Sequence, residues 1–231
     1  MKKLILLATI WFATALSSHA ALISSTYNSG FQNNGNIADG NVNPWSDTRT
    51  VSGAPHEIES ISVRLNISGG FNGDLYVYLS YNGVKVPLLN RVGVGTGNSF
   101  GYDNAGLNVT FTDGAANNIH FYQSVNGYSI ADAAAWRPDG RAISPLSLPS
   151  AFDADGTVTF AAFSGMNPNG DWSLVVSDVS MGGGQAQVVS WGLDIQAVPE
   201  PTNVALGLFA AVALFIQGAR VWRKVRRSAK S

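Results

Sequence analysis

The amino-acid sequence predicts an all-β protein, an antiparallel β-sandwich of the jelly-roll type with a targeting segment at each end. Residues 61–67 alternate apolar and polar side chains, as a strand with one buried face does. The chain has 25 glycines, and its Asn-Gly and Asp-Gly pairs favour tight turns. Only residues 130–136 favour a helix within the middle of the chain. Short strands joined by turns are typical of a sandwich.

Residues 1–20 predict a secretory signal peptide. Lys2 and Lys3 precede an apolar run over residues 4–16, and small residues precede a cleavage point between Ala20 and Ala21. The alternative is an uncleaved N-terminal anchor, although the run is short for a membrane span.

Residues 21–56 are rich in Asn, Gly and Ser, and we expect them to be irregular. The sandwich is predicted to occupy residues 57–197. Asn82-Gly83 predicts a hairpin turn, because both residues tolerate positive φ. Pro87 predicts a sheet edge or a bulge. The predicted strands are 61–67, 74–79, 84–89, 107–111, 157–160, 173–177 and 187–195.

A second apolar run covers residues 204–219 and predicts a C-terminal transmembrane helix. A basic cluster follows it. By the positive-inside rule this cluster stays in the cytoplasm and the middle of the chain is exported. The alternative, a buried core helix, is disfavoured because the run has no polar face. The basic cluster consists of Arg223, Lys224, Arg226 and Arg227.

The order of features in residues 198–231 resembles the PEP-CTERM sorting signal. Pro199, Glu200 and Pro201 precede the apolar run, and the basic cluster closes the chain. The resemblance implies recognition and processing by exosortase, a membrane enzyme, in a Gram-negative bacterium that makes extracellular polysaccharide. A plain membrane anchor is the alternative.

Residues 57–197 resemble the P domain (P/Homo B), the jelly roll that follows the catalytic domain of furin-like and kexin-like proteases. The resemblance rests on Gly73-Asp74-Leu75, on Asn169-Gly170-Asp171-Trp172 with the strand that ends at Asp178, and on Trp191-Gly192-Leu193-Asp194-Ile195. It implies a domain that accompanies a subtilisin-like protease. No protease domain accompanies it in this sequence.

Charge and composition exclude several functions. The chain has no cysteine, so a thiolate metal site and a cysteine nucleophile are excluded. Residues 21–198 hold six basic and fourteen acidic residues, which argues against a nucleic-acid partner. The histidines are His19, His56 and His120, and none lies in a catalytic motif. No Gly-x-Ser-x-Gly elbow occurs. We therefore expect that the chain is not an enzyme.

Two kinds of ligand remain compatible with this composition. Calcium is the one cofactor that this acidic, loop-rich composition favours, because it takes several oxygen ligands from loops. Its candidate ligands are Asp74, Asp103, Asp171 and Asp178. Sugars stack on aromatic faces, and Trp45 and Trp136 are the candidates for an exposed platform. Trp172 and Trp191 lie in strand motifs and are predicted to be core residues.

These observations together predict an exported, non-catalytic protein of the cell surface or extracellular matrix. Its precursor would be anchored in the cytoplasmic membrane. The expected partners are exosortase, the secretion machinery, the inner membrane, and an extracellular polysaccharide or surface protein. The alternatives are a glycan- or protein-binding adhesion module, and an accessory or hydrolytic protein of the subtilisin-like protease group.

Overall fold

The computed structural model describes residues 20–54, 57–126, 135–198 and 201–228. The chain divides into two units, of which Ala21–Ala197 is one and the helix that follows it belongs to the other. The strands are β1 (Ala21–Tyr27), β2 (Asn41–Val51), β3 (Glu57–Phe71), β4 (Leu75–Tyr81), β5 (Val84–Asn90), β6 (Ala105–Thr112), β7 (Ala135–Trp136), β8 (Gly170–Asp178) and β9 (Gln187–Val198). The α-helices are α1 (Tyr122–Asn126) and α2 (Pro201–Ser228).

The strands form two sheets of a β-sandwich. The first sheet has the order β1-β9-β3-β6-β7 and the second β2-β8-β4-β5. Pairing is antiparallel between β1 and β9, β2 and β8, β3 and β6, and β4 with both of its neighbours, whereas β7 runs parallel to β6. The predicted all-β sandwich is therefore confirmed.

The alternation in β3 builds one face of the core. Ile61, Val63, Leu65 and Ile67 are buried, while the residues between them are partly exposed. Apolar side chains on one side of a pleated strand leave water together, which is the main driving force for packing the sheets. Trp172 and Trp191 lie in this core, as predicted.

The turn and the proline behave as the sequence predicts. Asn82 and Gly83 have φ of 46° and 80°, the left-handed values that a tight hairpin needs. Pro87 lies in β5, which is the last strand of its sheet. The β4–β5 register also shifts between Val77 and Tyr78, so a bulge accompanies the proline.

The sandwich begins at Ala21, so the prediction of an irregular segment over residues 21–56 is wrong. β1 pairs with β9 from Ala21↔Ala197 to Tyr27↔Trp191, and β2 pairs with β8. β1 is an edge strand whose alternate side chains are only half buried. The apolar periodicity of β1 is therefore weak. Because the surrounding residues are polar, the sequence pattern does not predict β1 or β2.

The predicted strand at 157–160 is also wrong. Phe160–Phe163 forms a 3-10 helix that packs Phe160 and Phe163 into the core. Of the predicted helical stretch 130–136, residues 130–134 lie outside the described residues, and Ala135–Trp136 is the short strand β7.

The predicted signal peptide, apart from Ala20, lies outside the described residues, as do Pro199 and Glu200 of the predicted sorting motif. Ala20 is exposed and Ala21 begins β1. Pro201 begins α2, which contains the predicted apolar run, and Arg223, Arg226 and Arg227 near its end are exposed. Within the described ranges, no helix has both the length and the apolar content needed to cross a membrane.

Candidate functional site

A cleft of about 310 Å³ opens beside the 3-10 helix Ile119–Phe121. The segment 93–97 contributes three glycines and Val94 to its lining, so much of that wall is backbone. Gly93 has φ of 80°, and a Cβ there would lie 2.4 Å from the Tyr102 ring. The glycine therefore lets the tyrosine close one end of the cleft. The other lining side chains include Phe121, Phe152, Asn98, Asp153 and His120.

The rim of the cleft is held by hydrogen bonds between its two sides. The Thr96 side chain and backbone both donate to the Asp153 carboxylate, the backbone N–H at 2.8 Å. These bonds lower the pKa of Asp153, because they favour its ionised form. Asn98 closes its own loop by donating to the Gly101 carbonyl at 2.8 Å. The rim thus has a fixed shape and carries one negative charge.

His120 forms the inner wall and is only 1% exposed. Its Nδ1 lies 2.7 Å from Asp139 Oδ2, and its Nε2 lies 3.0 Å from the Val94 carbonyl oxygen. Both ring nitrogens therefore face acceptor oxygens inside the protein.

Asp139 joins His120 to a buried arginine. Its Oδ1 accepts from Arg141 Nη1 at 3.1 Å, and its Oδ2 also accepts from the Asn90 backbone at 3.2 Å. Arg141 Nε donates to the Phe152 carbonyl at 3.0 Å, and its guanidinium lies 5.2 Å from the centre of the Phe121 ring. Asp139 and Arg141 are buried. This network ties three loops together behind the cleft.

The network has two members of a Ser-His-Asp arrangement and lacks its working geometry. In such a triad the Nε2 of the histidine faces a nucleophilic hydroxyl. Here Nε2 faces a backbone carbonyl inside the protein. The network holds the walls of the cleft in place. Its histidine nitrogens face the protein interior, so His120 is not placed as a general base. His56, the other histidine of the predicted mature chain, lies outside the described residues.

The two predicted platform tryptophans are buried, so that prediction is wrong. Trp45 points inward from β2, its indole donates to the Gln32 carbonyl at 2.8 Å, and its ring packs against Phe31. Trp136 packs against Tyr122 from the strand β7. Neither ring face is available to a ligand.

Of the four aspartates predicted as calcium ligands, two are brought together. Asp74 immediately precedes β4 and Asp178 ends the adjacent strand β8, where it pairs with Leu75. Asp171 is exposed at the other end of β8, about 24 Å away at 3.4 Å per residue. Asp103 is exposed in the segment before β6. Among the described residues, no three His, Cys, Asp or Glu side chains form a ready-made metal cage.

Sequence reasoning missed a third acidic residue whose charge acts on this pair, and it missed the whole His120 network. Asp39 lies just before β2, in a segment expected to be irregular, and its charge acts on both Asp74 and Asp178. The one sequence feature that could have identified Asp39 is its position two residues before a strand, and that feature is visible only if β2 is predicted. Asp139 and Arg141 lie in a loop that matches no motif.

Comparisons with known proteins give structural similarity only. No family model matches the chain, and no curated protein matches it. The Aeromonas sobria serine protease in complex with its chaperone ORF2 has a TM-score of 0.45 and 16% identity, over 84% of this chain and 29% of that one. The serine protease of Aeromonas sobria, in a second structure, has a TM-score of 0.44 and 16% identity, over 78% and 27%. This chain spans less than a third of each of those chains.

Proposed function

We propose that the chain is an exported, non-catalytic β-sandwich protein of the cell surface or extracellular matrix, delivered by the two terminal segments. The observation that carries the non-catalytic part is the enclosure of His120. Both of its ring nitrogens face acceptor oxygens inside the protein, and the side chain is 1% exposed. A histidine enclosed in this way serves stability, because a general base needs a nitrogen within reach of its substrate.

Export is supported by the sequence order at both ends. A basic start, an apolar run and small residues precede Ala21, which is the first residue of β1. Cleavage between Ala20 and Ala21 would therefore leave every strand intact. At the other end β9 stops at Val198, directly before Pro199-Glu200-Pro201. Removal of the tail by exosortase would likewise leave the sandwich whole.

The resemblance to the P domain supports a binding or stabilising role for the sandwich. Its quoted motifs lie in or directly before β4, β8 and β9, which are at the centre of the two sheets or beside it. The accessory role beside a subtilisin-like protease remains an alternative within this proposal.

Cell fractionation tests export, with an epitope inserted after Gly83 at the exposed β4–β5 turn. We expect the tag on intact cells or in the medium, and surface protease should remove it. Tagged protein found only in the cytosol would overturn the proposal. A parallel assay of the purified protein with peptide, ester and glycoside substrates should show no turnover. Turnover that His56→Ala or His120→Gln abolishes would overturn the non-catalytic part.

A second candidate function, glycan binding, is favoured by the cleft. Aromatic rings on its walls and polar side chains on its rim are the elements with which proteins bind sugars. The negative Asp153 suits a neutral glycan better than an acidic one.

Two exposed phenylalanines allow a matched test of this candidate. Phe121 lines the cleft and is 39% exposed, whereas Phe100 is 80% exposed and lies outside the lining. In affinity electrophoresis against the polysaccharide of the producing cell, Phe121→Ala should lose retardation and Phe100→Ala should keep it. Unretarded migration of the wild type would exclude glycan binding.

A further inference from the structure

Three neighbouring strands carry an aspartate to the same end of the second sheet. Asp178 ends β8, the central strand of the three. Asp74 immediately precedes β4 on one side, and Asp39 lies two residues before β2 on the other. The registers Leu75↔Asp178 and Asn41↔Asp178 fix these starting points beside the end of β8. Antiparallel pairing thus gathers three negative charges that are far apart in sequence.

Asp178 is the most deeply buried member of this group, with 0% exposure, and Asp74 is 6% exposed. Its Oδ1 accepts a long hydrogen bond of 3.4 Å from the Ser180 backbone. Its Oδ2 is buried and has no hydrogen-bond partner among the described residues. Leaving a buried carboxylate oxygen without a partner is costly, so such an atom calls for an explanation.

The surroundings of Asp178 add to this cost. The charges of Asp74 and Asp39 act on its carboxylate and repel it, while the Ser180 and Gly40 backbone N–H groups oppose this repulsion. The Arg91 charge opposes the repulsion at Asp74. Arg91 Nε itself donates to the Gly73 carbonyl at 3.2 Å.

The side-chain atoms of Asp74 and Asp178 that could bind a metal ion are all oxygens. Hard divalent cations prefer carboxylate, hydroxyl, carbonyl and water oxygens, whereas zinc prefers nitrogen and sulfur. Calcium tolerates irregular geometry with six to eight ligands, while magnesium demands a regular octahedron. Two carboxylates at the ends of adjacent strands, completed by backbone oxygens and water, suit calcium better than magnesium.

We propose that one calcium ion binds at this end of the second sheet, with the carboxylates of Asp178 and Asp74 as its charged protein ligands. Asp39 supports the site through its loop and is not assigned as a ligand. Its Oδ1 accepts from the Gly182 backbone at 3.1 Å and so holds the loop after β8 in place. The ion would neutralise the buried carboxylate and pin three loops to one another.

Thermal unfolding of the full chain, stripped with a chelator and then titrated with calcium at about pH 7.5, tests the site. A ligand that binds only the folded state raises Tm. At a calcium concentration about 100 times Kd, the rise should be roughly 5–10 °C. Magnesium at the same concentration should give a much smaller rise. No change in Tm with calcium would overturn the proposal.

Two variants separate the site from general effects of calcium. Asp178→Asn keeps the size of the side chain and removes its charge, so it should lose the calcium-dependent rise. Asp171→Asn, in the same strand but at its far end, should keep the full rise. An equal response of Asp178→Asn and the wild type would overturn the proposal. If Asp178→Asn does not fold, calorimetric titration of the wild type and Asp74→Asn gives the answer. One calcium per wild-type chain with binding weakened about tenfold or more in Asp74→Asn supports the site, and unchanged binding overturns it.

Discussion

The indole Nε1 of Trp191 donates a hydrogen bond to Asp47 Oδ2 at 2.7 Å and so joins the two sheets of the sandwich. Trp191 belongs to β9 in the first sheet and Asp47 to β2 in the second. Both residues are buried. Arg49 completes the arrangement, because its Nε lies 2.8 Å from the same carboxylate oxygen.

We expect Asp47→Ala to lower the free energy of unfolding by about 2–3 kcal/mol. The variant leaves a buried indole N–H without an acceptor, and hydrogen bonds to charged groups are stronger than neutral ones. Urea unfolding of the purified protein measures the change. The control is Asp155→Ala, which removes an 87% exposed carboxylate and should stay within about 0.5 kcal/mol of the wild type. Equal stability of the two variants would contradict the role of Asp47.

The His120 network predicts a larger loss for Asp139→Ala. This variant leaves the buried Arg141 without its carboxylate, and removing one partner from a buried ion pair costs about 3–5 kcal/mol. Asp139→Asn keeps the size and one acceptor oxygen, so we expect a smaller loss. Denaturant unfolding of both variants measures the difference. Near-wild-type stability of Asp139→Ala would show that the network does not hold the three loops.

The β4–β5 turn gives a test of backbone conformation alone. Gly83 has φ of 80° and open space where a Cβ would lie. Gly83→Ala should therefore cost about 1 kcal/mol through the left-handed conformation and not through a clash. Gly97 also has open space and lies outside the left-handed region. Gly97→Ala should be close to neutral, and an equal loss in both variants would point to a different cause.

The raised pKa of Asp178 predicts how stability depends on pH without calcium. An aspartate in the unfolded chain titrates near 3.8, whereas burial holds the pKa of Asp178 at about 7 in the folded chain. Between these values the folded state keeps a proton that the unfolded state has released. The free energy of unfolding contributed by this group therefore falls as the pH rises from about 4 to about 7.

The asparagine of Asp178→Asn does not titrate in this range, so the variant should show a smaller dependence of the free energy of unfolding on pH. Unfolding in chelator from about pH 4 to about pH 8 compares it with the wild type. Asp171→Asn is the control for the loss of one acidic residue and should keep the wild-type slope. A slope that is the same in Asp178→Asn and the wild type would contradict the assignment.

The strands that the sequence predicts are those whose apolar residues face one buried surface. β3 alternates over seven residues, and all four of its apolar side chains there are buried. β1 escapes prediction because it lies at a sheet edge, where alternate residues such as Ser25 need not be apolar. Val158 and Phe160 look like strand residues, yet the chain turns there and Phe160 reaches the core from a 3-10 helix.

The sites depend on contacts between distant segments, and these are harder to predict. Asp74 and Asp178 are both among the four predicted calcium ligands, and the pairing of β4 with β8 brings them to one end of the sheet. Their association with Asp39 requires the pairing of β2 with β8, which the sequence pattern did not reveal. Trp45 was misjudged for the same reason, because its burial also follows from that pairing.

The mass of the mature protein is the decisive measurement of export and processing. Protein recovered from the cell surface or the medium should begin at Ala21 and end close to Pro199-Glu200-Pro201. Cells without exosortase should yield a heavier form that keeps the C-terminal segment. An identical mass with and without exosortase, with residues 1–231 all present in a cytosolic protein, would contradict both export and processing.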